Sequence, residues 1–178
     1  GSDDERTWAE YIVERLWNLR IPVVIHEPEL FLSIPERSEL TVTSAGLSRP
    51  IESRPPAFSL STREASVSGE IVYVPSKYAG GTGSLFDLPA AAETGGGADP
   101  VAGKIVLTEG FSMPSPVHAF EARGAVAQIY VHPGPRIHEG ICTTIWGAPT
   151  SDSIGRKPRT PVVCIARPEG ERLAAGAA

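Results

Sequence analysis

His132, His138 and Glu139 lie close together, and imidazoles with a carboxylate are a common zinc ligand set. A helix would align such ligands at i and i+4, but Pro133, Gly134 and Pro135 make this stretch a loop in which the spacing defines no coordination geometry. Polar loop residues are the preferred reading, and no metal ligand is assigned. Nucleophilic catalysis needs a Ser or Cys within reach of a base, commonly on a sharp turn, and no G-x-S-x-G elbow occurs. Ser84 follows Gly83 outside that pattern, and nothing singles out three members of a Ser-His-Asp triad. Gly80, Gly81 and Gly83 match neither a dinucleotide fingerprint nor a Lys-bearing phosphate loop, so a mobile surface loop is expected there. No catalytic residue is expected in this chain.

The stretch Thr143-Thr144-Ile145-Trp146-Gly147 could instead line a peptide groove, because a half-exposed Trp is a strong interface anchor. Large aromatics are usually mostly buried, which makes packing against the core or a parent domain the preferred reading. Ile145, Trp146, His138, Phe111 and Met113 are the candidates for contact with a partner.

Several elements must position these residues. Ser2 and Glu5 have capping-box spacing, and Trp8, Tyr11, Ile12 and Leu16 then recur on one face, which predicts an amphipathic helix over roughly Asp3 to Leu19. The β-branched run Ile21 to Ile25 predicts a strand close behind it, giving an N-terminal helix-strand unit. Leu40-Thr41-Val42 reads as a strand, and the Pro-rich stretch Arg49 to Pro56 as a connector. Further strands are expected within Ser66 to Val74, from Lys104 to Leu107, from Ala125 to Val131 and from Pro161 to Ile165. Pro114 and Pro116 open a helix running to Arg123 with Gly124 as its stop, and Pro168 to Ala174 opens another. A strand-helix-strand succession implies parallel pairing in part of the sheet.

The 178 residues fit one domain, or one domain with a fragment of a second. Hydrophobic residues at 41% and charged residues at 21% describe an ordinary globular chain, and no apolar run approaches the ~20 residues of a membrane span. A net charge of −5 opposes phosphate backbones, and Arg156, Lys157 and Arg159 sit among turn residues, so no nucleic-acid partner is expected. Gly1-Ser2 is not followed by the charged and apolar regions of a secretion signal. Cys142 and Cys164 are either two buried thiols or one disulfide.

The run Val101-Ala102-Gly103-Lys104-Ile105-Val106-Leu107, the helix ending Ala122-Arg123-Gly124-Ala125 and the strand Val126 to Tyr130 together resemble the protease-associated domain. Thr143 to Gly147 and Pro158 to Ile165 look like that domain's later loop and closing strand, so the resemblance covers roughly residues 60 to 174. The opening, with its helix Trp8 to Leu19 and strand Ile21 to Ile25, looks like the start of the family that includes zinc aminopeptidases, glutamate carboxypeptidase and the transferrin receptor. In that family the protease-associated domain is inserted after the first elements of the catalytic domain.

The resemblance implies an α+β fold, a strand-rich open barrel or sandwich flanked by short helices, with residues 1–55 belonging to the parent peptidase and 56–178 forming the protease-associated domain. It implies a non-catalytic accessory region that shapes substrate access or protein interaction, with the parent's catalytic domain and peptide or protein substrates as partners. An alternative is a sorting or receptor module with no peptidase attached, and a third reading is a self-sufficient hydrolase using His132, His138 and Glu139. The family's zinc patterns, a His-x-Asp strand end, a Glu-Glu pair and a later Asp and His, do not occur here, which fits a chain that stops at Ala178 before the catalytic core resumes. Zinc is accordingly expected in the parent catalytic domain and no cofactor in this chain. The resemblance leans toward a secreted or extracellular setting, although Phe111-Ser112-Met113 stands where many such domains carry a Cys.

Overall fold

The computed structural model describes residues 2–63, 65–77, 99–142 and 149–176, and these form two compact units, Gly1–Leu30 and Phe31–Ala178. In the first, helix α1 (Asp3–Asn18) starts where the Ser2 hydroxyl accepts a hydrogen bond from Glu5 N at 3.2 Å, with three acidic residues in the first turn to complement the helix dipole. It ends in a Schellman arrangement: Ile21 N donates to Leu16 O and Arg20 N to Trp17 O, with Arg20 in the left-handed region at φ 57°. No residue of α1 is buried.

The strand expected from Ile21 to Ile25 is absent from the described structure. A β-branched run favours a pleated, half-buried surface, but a strand exists only with a partner to accept and donate its ladder. Here the segment has none in its unit, and Val24 and Ile25 remain 77% and 61% exposed.

The second unit is built on four parallel strands in the order β3 (Ile71–Tyr73), β4 (Ile105–Glu109), β5 (Ala127–Val131) and β6 (Val162–Ile165). Register pairs Leu107 with Ile129 and Ile129 with Val163. Helix α2 (Pro114–Ala122) connects β4 to β5, and α3 (Arg167–Gly176) follows β6. Both faces of the sheet are covered, which is why its strands read as continuous apolar runs. Leu107, Ile129, Val131 and Ile165 face one way and pack with Ile51 and with Leu173 of α3. On the other face Val106 packs with Phe120 of α2, while Tyr130, Val162 and Cys164 pack with Val117. The strand foreseen over Ser66 to Val74 contracts to the three residues that find partners in β4.

The expected connector at Arg49–Pro56 is likewise corrected, since β1 (Leu40–Ser44) and β2 (Leu47–Ile51) form an antiparallel hairpin. Ala45 and Gly46, at φ 50° and 77°, make the two-residue turn whose twist suits a hairpin. Pro50 is tolerated because a two-stranded ladder is all edge. Beyond the hairpin, Arg54 exchanges two backbone hydrogen bonds with Cys164 on the outer side of β6. Next to it the Ser59 hydroxyl accepts from Val162 N and donates to Val162 O.

The α+β reading holds, and so does the parallel pairing. The two glycine-rich loops fall largely in 78–98, outside the described residues. Cys142 and Cys164 are both free and buried, which settles the choice that the sequence left open. Burial pushes both thiols up from their ordinary range, so they remain protonated and unreactive at neutral pH.

Candidate functional site

In a parallel sheet the loops that follow the strands gather at one end, and side chains for a site are normally supplied there. After β4 the chain turns at Gly110, whose N–H bonds Val131 O, and Phe111 leads into the start of α2. After β5 the ladder continues one residue further, with His132 N donating to Ile165 O, which fixes His132 beside the β4 loop. His138 returns from the turn to lie on the His132 ring, 5.7 Å between centroids and 28° between planes. Phe111 completes the cluster at 5.4 Å from His132 and 5.5 Å from His138. The His132 Nδ1 accepts from Gly134 N at 3.0 Å, which puts the neutral ring's proton on Nε2.

Of the sequence candidates, Phe111 and His138 therefore meet, and His132 contacts both. Met113 sits nearby as the half-buried N-cap of α2 without a side-chain capping bond. Ile145 and Trp146 lie outside the described residues. Glu139 turns away from the two imidazoles to Arg54, whose Nη1 lies 3.2 Å from Oε1. Among the described residues no three His, Cys, Asp or Glu side chains converge as a metal site requires. The described donor set, two stacked imidazoles and a carboxylate already paired with a guanidinium, does not fit a zinc ion.

Gly140 pins this loop from behind. A Cβ there would come within 2.6 Å of Ser112 Oγ and 2.7 Å of Ser112 O, so the His138 loop and the β4 loop touch backbone to backbone.

Sequence reasoning missed a second group at the same end of the sheet. Glu109, the last residue of β4, accepts from the Tyr73 hydroxyl through Oε1 and from Ser76 N through Oε2 at 2.9 Å. Each is the last residue of its strand, and a polar side chain at a strand's C-terminal end was the available signal. Burial, reinforced by the Glu109 bond, raises the Tyr73 hydroxyl from its ordinary 10.0 to about 12. Folding thus favours the neutral phenol, so this contribution to stability is whole below pH 10 and is lost as pH rises toward 12. Ultraviolet titration of tyrosinate should show late-ionising tyrosines, Tyr73 and the wholly buried Tyr130, and Tyr73→Phe should remove one of them and leave the other. An unchanged titration curve in the variant would contradict this assignment.

An α+β unit on a parallel sheet, preceded in the sequence by a capped helix with no buried residue, is a fold found within zinc aminopeptidases and related peptidases. The chain is similar to the aminopeptidase from Aneurinibacillus sp. strain AM-1 at 21% identity and TM-score 0.62, covering 99% of this chain and 36% of that one. A zinc aminopeptidase from Bacillus subtilis shares 22% identity at TM-score 0.54, over 97% of this chain and 35% of its own. A peptidase M28 precursor from Shewanella amazonensis SB2B shares 17% at TM-score 0.63, over 98% and 39%. The likeness is one of fold, and the chain spans little more than a third of each of these structures. No family model and no curated protein matches the chain.

Proposed function

We propose that this chain is a non-catalytic accessory region of a zinc-dependent aminopeptidase-type peptidase, with a protease-associated domain over 56–178 and the opening elements of the parent over 1–55. The supporting observation is the asymmetry of coverage: nearly all of this chain aligns, against little more than a third of the peptidases. In this reading zinc and the catalytic side chains belong to the parent's catalytic domain, and this region shapes access of peptide or protein substrates. Phe111, Met113 and His138, together with Ile145 and Trp146, are the residues offered to that partner or substrate.

The first unit adds a physical argument. Trp8, Trp17, Leu19, Val24, Ile25 and Leu30 are each more than three-fifths exposed within thirty residues. An apolar surface of that density is a contact surface and is costly to leave in water.

The test is hydrolysis of a panel of fluorogenic aminoacyl and dipeptide substrates by the purified chain, with and without zinc, beside acrylamide quenching of Trp8 and Trp17. The expected result is no turnover above a denatured control, together with tryptophans open to quencher. Zinc-dependent turnover abolished by His138→Ala would sink the accessory reading and make the chain a hydrolase in its own right.

A further inference from the structure

Beside the β6 edge, three segments distant in sequence line a half-open cavity of about 330 Å³, within the size range of small-ligand sites. Its apolar wall is aromatic: the rings of Phe31 and Phe58 lie 6.0 Å apart, tilted by 35°. Lys157 Nζ stands 5.1 Å from the Phe31 ring centroid, and Arg63 lines the same space, its side chain exposed. Among the described residues no Asp or Glu lines the cavity and neither cation has a carboxylate partner, in a chain whose acidic side chains outnumber its basic ones by 21 to 16. Two neighbouring cations with no described carboxylate beside them form a local field that selects an anion.

The backbone of the wall is held in place at a conformational cost. Phe58 and Arg63 have φ of 65° and 55°, and a bulky aromatic in the left-handed region is rare and strained by roughly 1–3 kcal/mol. Two serines hold the strained turn: Ser33 Oγ accepts from Phe58 N at 2.9 Å, and Ser59 is bonded to both backbone groups of Val162. Such strain is kept where it presets a surface before its ligand arrives.

From this geometry we infer a binding site for a peptide segment in which a carboxylate adjoins an apolar side chain. The apolar group lies against Phe31 and Phe58, and the carboxylate sits between Lys157 and Arg63. The inference stands on the cavity alone and survives if the accessory reading fails.

Three probes distinguish its possible forms by amide NMR titration of the whole chain: acetyl-Ala-Leu with a free carboxylate, the same dipeptide as its amide, and acetyl-Glu-Leu-amide. The free acid or the Glu peptide is expected to bind about tenfold or more tighter than the uncharged amide, a difference of about 1.4 kcal/mol. Tighter binding of the free acid identifies a chain terminus as the occupant, and of the Glu peptide an interior acidic residue. Lys157→Gln and Arg63→Gln, both at exposed positions, should each weaken the charged probe severalfold at unchanged thermal stability, and the double variant should bind it no better than the amide. Equal binding of all three probes overturns the inference, and so do shifts that map away from residues 31–33, 58–63 and 157–158.

Discussion

Gly170→Ala is expected to destabilise the second unit by about 3 kcal/mol, measured as a fall in the urea midpoint at unchanged slope. Gly170 lies in the first turn of α3, where the helix approaches β5 closely. A Cβ at this position would come within 2.9 Å of Val131 Cβ and closer still to both of its methyl carbons. Val131 is itself buried in the core cluster with Leu107, Ile129 and Leu173, so it has no free volume to move into. Either α3 lifts from the sheet, or Val131 leaves its rotamer. The diagnosis is specific enough for a double-mutant cycle. Val131→Ala alone removes buried methyls and destabilises, yet in the Gly170→Ala background it should restore part of the loss, because it removes the atoms that clash. Additive losses in the double variant would mean that the close approach is not what Gly170 provides.

Gln128→Leu should remove a comparable 2–4 kcal/mol, for a different reason. Gln128 is buried on β5, and its amide nitrogen donates to Val117 O at 2.9 Å and to Thr160 Oγ1 at 3.0 Å, while its oxygen accepts from the Tyr130 hydroxyl at 3.0 Å. Thr160 in turn donates from both its N–H and its hydroxyl to Oε1 of Glu121, whose side chain is almost wholly buried. One amide therefore links α2, β5 and the loop before β6. A leucine of similar volume would fill the space, leave the buried Tyr130 hydroxyl without its acceptor and take from Thr160 Oγ1 and Val117 O the bond each receives from Gln128, Val117 O keeping only its place in the helix ladder. Adding Tyr130→Phe to Gln128→Leu should then cost much less than Tyr130→Phe in the parent chain. If Gln128→Leu unfolds within about 1 kcal/mol of the parent, the network is not the organising contact between helix and sheet.

The parts of this fold that are legible in the sequence are those decided locally or by complete burial. Ser2 and Glu5 announce the start of α1 because a cap is a contact across three residues. Pro114 and Gly124 bracket α2 for the same reason, the glycine taking φ 86° just past its end. The runs at 105–109, 127–131 and 162–165 are largely apolar because both faces of the sheet are covered, and that composition marks them as strands. Failure came where a second segment decides the outcome. Ile21 to Ile25 has strand composition without a partner, whereas Leu47 to Ile51 has a proline and a partner, and the partner wins.

The same division runs through the sites. That His132 and His138 are near one another follows from their spacing, but Phe111 joins them only because β4 and β5 are neighbours in register. The cavity at Phe31, Phe58 and Lys157 is drawn from three segments that no pattern connects, and its strained turn leaves no trace in composition.

The outer side of β6 limits how this molecule can meet another. In a parallel strand, alternate residues point their N–H and C=O toward the next strand, and at β6 those residues are Val162 and Cys164. Both are already satisfied, the first by the Ser59 hydroxyl and the second by the Arg54 backbone. An extended chain arriving at this edge finds no free ladder to join, so it cannot add itself to the sheet or template a growing stack of copies. Recognition on this side must work through side chains and shape, and a short segment closing a sheet edge thereby gives protection from self-association as well as selectivity.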